Sequence, residues 1–221
     1  MKKVGLCLLI LFIGIGCSED GENTDAPMEN ENNGNPVATA ELVAIPDAAF
    51  EQALIDLNFD NTLDGEVDKN RIDFITELII DNKGITDLTG INEFDALESL
   101  NVRNNEIESL NLTSNPALLF IWAEDNALSS INVDGLSSLE KLGLDRNVLE
   151  QINVRSNTAL QLLTVSENQL SAIDVSNNNA LTDFTVVDNP LNCILVNQSQ
   201  QDAIPTDWSK DDEDSYALDC Q

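Results

Sequence analysis

The chain has 221 residues, with 40 Asp or Glu against 10 Lys or Arg, no histidine, and a formal net charge of −30. A surface this acidic repels nucleic acid and anionic headgroups at long range, so a nucleic-acid partner is excluded as an expectation. Without histidine there is no His-based triad and no imidazole base or zinc ligand, and Gly-rich phosphate loops are missing as well; the expectation is a non-enzyme with no cofactor and no metal.

Residues 1–16 read as an export signal. Lys2 and Lys3 give a positive start, Val4 to Ile15 an apolar run, and the segment closes on Gly14-Ile15-Gly16-Cys17. The run is shorter than the roughly 20 residues a spanning helix needs. Small residues leading into a cysteine resemble the lipobox of bacterial lipoproteins, which implies cleavage before Cys17 and its acylation; an ordinary secretory leader is the other reading. Gly14 stands where that pattern has Leu. Ser18-Glu19-Asp20 is similar to the signal that sends some lipoproteins to the outer face of the outer membrane, which implies a lipid-anchored, surface-exposed protein. Residues 17–44 read as an acidic tether, because seven acidic residues and no Lys or Arg between Ser18 and Ala44 cannot bury enough apolar surface to offset ordering.

Residues 45–74 read as an N-terminal cap. Asp47 can cap a helix whose Phe50, Leu54 and Leu57 recur at i, i+4 and i+7. The loop Asp60 to Asp68 has the look of an EF-hand calcium loop, with Gly65 at its sixth place and Val67 at its eighth. Its twelfth place is Arg71 and not a bidentate Glu, so the loop is read as a turn.

Residues 75–196 carry the most informative pattern. Five contiguous stretches of one 21-residue template begin at Leu97, Leu118, Leu139, Leu160 and Leu181. A period of this length means a solenoid. The template reads L-x-x-L-x-L-x-x-N-x-L, as in Leu97, Leu100, Val102, Asn105 and Ile107, and each second half nearly repeats it, as in Ile107, Leu110, Leu112 and Asn115. In Leu100-Asn101-Val102 side chains alternate, so the apolar ones point into the coil and Asn101 points out. The column Asn105, Asn126, Asn147, Asn168 and Asn189 is read as structural, its inward amides bonding backbone groups of adjacent coils where the chain turns; the preceding coil has Lys83 in that slot.

The nested template resembles the bacterial leucine-rich repeats called IRREKO and those of internalin-like surface proteins. The resemblance implies a β-rich, right-handed solenoid of stacked parallel strands with a short N-terminal capping helix. Residues 197–221 read as the C-terminal cap. In an oxidising exterior Cys193 and Cys220 pair and fasten that cap over the open end. The cysteine after Asn189-Pro190, the downstream Trp208 and the near-terminal Cys220 look like the usual ending of such proteins.

Function is then expected on the outward face of the strands. Phe120 and Trp122 flank inward Ile121 and lie side by side, next to Lys141, with Arg103, Glu124, Asp145 and Arg146 as a mixed-charge rim. Two aromatics in water mark a contact site, and the competing reading is that Trp122 covers Gly143 in the next coil. Resemblance to adhesin-like and internalin-like repeats implies a monomer that binds an extracellular or envelope protein. The alternatives are a carbohydrate-binding accessory lipoprotein, in which Phe120 and Trp122 stack on sugar rings, and a structural envelope protein.

Overall fold

The computed structural model describes residues 40–220, so the export signal, Cys17 and most of the expected tether lie outside the described residues. Each 21-residue unit makes one coil of a solenoid. The chain runs β1 (Leu42–Ala44), α1 (Ala48–Asp56), β2 (Glu66–Asp68), β3 (Glu77–Ile79), β4 (Ser99–Asn101), β5 (Ser109–Asn111), β6 (Phe120–Trp122) and β7 (Ser130–Asn132). It continues through β8 (Lys141–Gly143), β9 (Leu162–Thr164), β10 (Ala172–Asp174), β11 (Asp183–Thr185), β12 (Cys193–Leu195), α2 (Gln198–Asp202), β13 (Asp207–Ser209) and β14 (Tyr216–Ala217).

One face of the solenoid is a seven-stranded sheet in the order β13-β11-β9-β8-β6-β4-β3. All of its pairings are parallel, and in each the middle residue is inward: Leu78, Leu100, Ile121, Leu142, Leu163, Phe184 and Trp208 stack in register. The opposite side carries the shorter sheets β5-β7 and β10-β12-β14. Leu97, Leu118, Leu139 and Leu160 are fully buried beneath the strands, as are Ile107, Leu128, Leu149 and Leu170 from the following turns. No coil can bury these groups alone, so the core runs unbroken from coil to coil.

The asparagine column does what its position suggests. Asn147 Oδ1 accepts from Leu128 N at 2.9 Å, while Nδ2 donates to Ala123 O and Leu144 O, both at 3.0 Å. Asn105, Asn126, Asn168 and Asn189 repeat the arrangement, each reaching into the coil before it. Lys83, lacking such an amide, enters only through its backbone N–H, which Asn105 Oδ1 accepts at 3.0 Å. The residue just before the column is left-handed in every coil: Asn82, Asn104, Asp125, Arg146, Glu167 and Asp188 have φ of 53–58°. A second column, Asn115, Asn157 and Asn178, bonds carbonyls on the far side of the coil.

Both ends are closed. At the N-terminal end, Leu42–Ala44 of the expected tether pair antiparallel with β2, because Val43 faces the core and is 6% exposed. In α1, Phe50 and Leu54 are buried and Phe50 stacks on Phe94 at 6.3 Å. Leu57 departs from the expected apolar stripe: it ends the helix and is 39% exposed, since the chain turns away at Asn58 with φ 63°. Only the first part of the Asp60 to Asp68 loop is the expected turn, since Glu66–Asp68 is β2; the turn is held from inside, with buried Glu51 accepting from Asp64 N at 2.7 Å and Gly65 N at 2.6 Å. At the other end the cap is more than a flap, because β13 extends the seven-stranded sheet and β14 the sheet of β10 and β12. Trp208 packs edge-on against Phe184 at 5.3 Å and donates its indole N–H to Leu181 O. Cys193 and Cys220 are bonded, with Cα atoms 5.8 Å apart. A bridge closing a loop of this length stabilises by roughly 3–4 kcal/mol in the chain-entropy account.

Asp47 ties the helix to the first coil. Its Oδ1 caps α1 through Ala49 N and Phe50 N, and its Oδ2 accepts from Thr86 N, Thr86 Oγ1 and Asp87 N. Burial works to raise this carboxyl, but the bonds from Phe50, Thr86 and Asp87 outweigh it and hold it below its ordinary value. Asp47→Ala is expected to cost about 1–2 kcal/mol in denaturant unfolding at neutral pH. A depressed carboxyl stabilises fully above its unfolded pKa of about 3.9, and the contribution is lost as pH falls through the folded value. The difference between wild type and Asp47→Ala should therefore shrink below about pH 4, and a difference independent of pH would contradict the assignment.

Candidate functional site

Outward residues of the seven-stranded sheet form two rows because the strands are in register. One row runs Ser99, Phe120, Lys141, Leu162 and Asp183, and the other Asn101, Trp122, Gly143, Thr164 and Thr185. Neighbouring strands are about 4.8 Å apart, so each outward side chain lies within reach of those on either side. Phe120 and Trp122 are each partly exposed. Their inward neighbour Ile121 is fully buried, which fixes both rings on the outer surface.

Trp122 is held from two sides. The Arg103 guanidinium lies over the indole ring, 4.6 Å from its centroid, and forks onto Glu124 with Nε to Oε2 and Nη2 to Oε1 both at 2.7 Å. On the other side the ring lies against Gly143. A Cβ at Gly143 would stand 2.8 Å from Trp122 Cε3 and 2.6 Å from Glu124 Oε1, so only glycine leaves room for both side chains. Glu124 is in consequence 8% exposed, its charge met by Arg103. Lys141 Nζ stands over the Phe120 ring at 5.6 Å and makes no ion pair among those found in the described residues.

The remaining rim is carboxylate-rich. Asp145 Oδ1 accepts from Ser166 N at 2.7 Å. Burial pushes the Asp145 carboxyl above its ordinary value and the charge of Glu124 adds to this, against the opposing bonds from Ser166 and Thr164. One residue on, Arg146 forks onto Asp125, whose carboxyl that bond holds below its ordinary value.

The structure thus gathers Arg103, Phe120, Trp122, Glu124, Lys141 and Asp145 on three adjacent coils, while Cys17 lies outside the described residues. Both sequence readings of Trp122 have their geometry here: the ring covers Gly143 and is still partly exposed. Truncating it would therefore uncover Gly143 and take away the ring under Arg103, besides removing surface. Sequence reasoning missed Ile79, which is 48% exposed on β3 and pairs with Asn101. Its coil is offset by 22 residues from the next instead of 21, which keeps it out of the five-copy alignment.

The family model of the endo-beta-N-acetylglucosaminidase EndoS leucine-rich repeat domain matches residues 62–168. No curated protein matches the sequence. Among solved structures, the functional domain of InlJ from Listeria monocytogenes, which includes a cysteine ladder, is similar with a TM-score of 0.63 and 26% identity over 72% of this chain. This chain spans 39% of that one. Internalin C2 from Listeria monocytogenes shares the fold at a TM-score of 0.52 and 23% identity, covering 78% of this chain and 87% of its own.

Proposed function

We propose that this chain, similar in its repeats to internalin-like leucine-rich-repeat proteins, is a non-enzymatic, lipid-anchored protein of the outer membrane surface whose solenoid binds another protein. The supporting observation is the pair Phe120 and Trp122, partly exposed and fixed side by side on the seven-stranded face. Aromatics held in one conformation lose little freedom on binding and are enriched among residues that carry interface energy. A glycan reading is less well supported by the same geometry. A sugar ring stacks on an open aromatic face, and Arg103 already occupies one face of Trp122 while Gly143 backs the ring.

Anchoring rests on the Gly14-Ile15-Gly16-Cys17 pattern. Incorporation of labelled palmitate should disappear in Cys17→Ala, and undiminished labelling would reject the anchor.

Binding is tested by capturing cell-surface proteins on the chain, alongside a glycan array. Phe120→Ala should weaken capture on the order of tenfold or more while lowering the melting temperature less than Trp122→Ala does, because its ring meets Lys141 and stands outside the Arg103, Glu124 and Gly143 assembly. Trp122→Ala should weaken capture about thirtyfold and also lower the melting temperature, since it removes the cover of Gly143. Capture that survives both substitutions would place binding elsewhere on the molecule.

A further inference from the structure

Resting on the protein-binding reading above, we propose that the seven-stranded face receives an extended, basic segment of its partner, with an apolar anchor on Phe120 and Leu162 and Lys or Arg side chains on Asp145 and Asp183.

The charge distribution supplies the first argument. In a chain of net charge −30, most cations of the described residues are spent internally: Lys69, Lys83, Arg103, Arg146 and Arg155 each sit within 4 Å of a carboxylate. Asp145 and Asp183, in contrast, are in none of the ion pairs found among the described residues. Both stand on the seven-stranded face or at its rim, and Asp207 continues the row of Asp183 onto β13. A basic partner would be drawn toward such a surface at long range and would neutralise the carboxylates at contact.

The second argument is an internal precedent. Arg103 shows how this face accepts a guanidinium, over an aromatic ring with a two-pronged bond to the carboxylate of the next coil. Asp145 is the following carboxylate in that line, raised by burial and by Glu124; neighbouring Arg146 acts on it only at a distance and forks instead onto Asp125. A partner's guanidinium placed there would extend the Arg103–Glu124 arrangement by one coil.

Spacing sets the segment. Phe120, Lys141, Leu162 and Asp183 lie on consecutive strands, so Phe120, where the anchor begins, and Asp183 are about 14 Å apart, which an extended chain covers in about four residues. The matching sequence has a large apolar residue and a basic residue roughly four positions on. Lys141, between the two apolar contacts, is the one unpaired cation the segment must pass.

The probe is a set of synthetic dodecapeptides carrying one Leu or Phe and three Arg, and their counterparts with Glu for Arg, titrated against the full chain. The basic peptides should bind, lose affinity as salt rises, and weaken about tenfold on the double variant Asp145→Asn, Asp183→Asn. Lys141→Glu should strengthen them. Glu108→Gln with Asp134→Asn, both exposed on the opposite side, is the control for general attraction to an acidic protein and should change little. Equal loss in the control, binding of the Glu peptides, or indifference to Asp145 and Asp183 would overturn the inference. The protein-binding reading fails separately: a captured protein sensitive to Phe120→Ala but not to the carboxylate variants or to salt upholds that reading and sinks this one, whereas a glycan ligand lost in Phe120→Ala sinks both.

Discussion

The structure depends on one recurring hydrogen-bond arrangement, an inward asparagine that serves two coils at once. Where each coil leaves the strand its backbone groups lose ladder partners, and a buried amide or carbonyl left unpaired costs on the order of 1–3 kcal/mol. A single Asn side chain supplies both an acceptor and two donors. Asn147 uses all of them, accepting from Leu128 and donating to Ala123 and Leu144. Because each amide reaches the preceding coil, turning the chain and stacking it are one interaction. Only with that interaction in place can the apolar residues, too few in any coil to make a core, merge into a continuous one.

Surface chemistry follows from that stacking. A parallel sheet in strict register turns a position in the repeat into a row on the surface, so side chains distant in sequence become neighbours about 4.8 Å apart. On this face the outward slots differ from coil to coil while the inward ones stay apolar. The result at Trp122 is a small assembly that belongs to neither scaffold nor surface alone. Arg103, Glu124 and the absent side chain of Gly143 fix the indole, and the fixed indole remains in part accessible. Fixing a ring in advance lowers the entropy lost when a partner docks.

Much of this was legible in the sequence because the period converts residue number directly into position. The 21-residue spacing placed Leu100, Ile121, Leu142 and Leu163 inside, set Phe120 beside Trp122, and put Trp122 opposite Gly143. What escaped the sequence lies where the period breaks or where side chains meet across coils. Leu42–Ala44 belongs to a strand only because β2 is there to pair with it. Asp207–Ser209 lacks the repeat's leucines, yet Trp208 fills the inward place of the last strand. The left-handed turn before each asparagine is carried by Asp125, Arg146, Glu167 and Asp188, none of them glycine, so composition gave no signal of it. The fork of Arg103 onto Glu124 depends on the room left by Gly143, a steric fact visible only in three dimensions.

Amide hydrogen exchange tests the dependence of the fold on the asparagine column most directly. The backbone N–H groups of Ile107, Leu128, Leu149 and Leu170 each donate to the Asn of the following coil. If that interaction binds turn and stack together, these amides cannot be released singly, and they exchange only through cooperative opening of several coils, with protection close to the global stability. Exchange of these four at the rates of exposed loop amides, while the strand amides of Ile121 and Leu142 stay protected, would contradict the account.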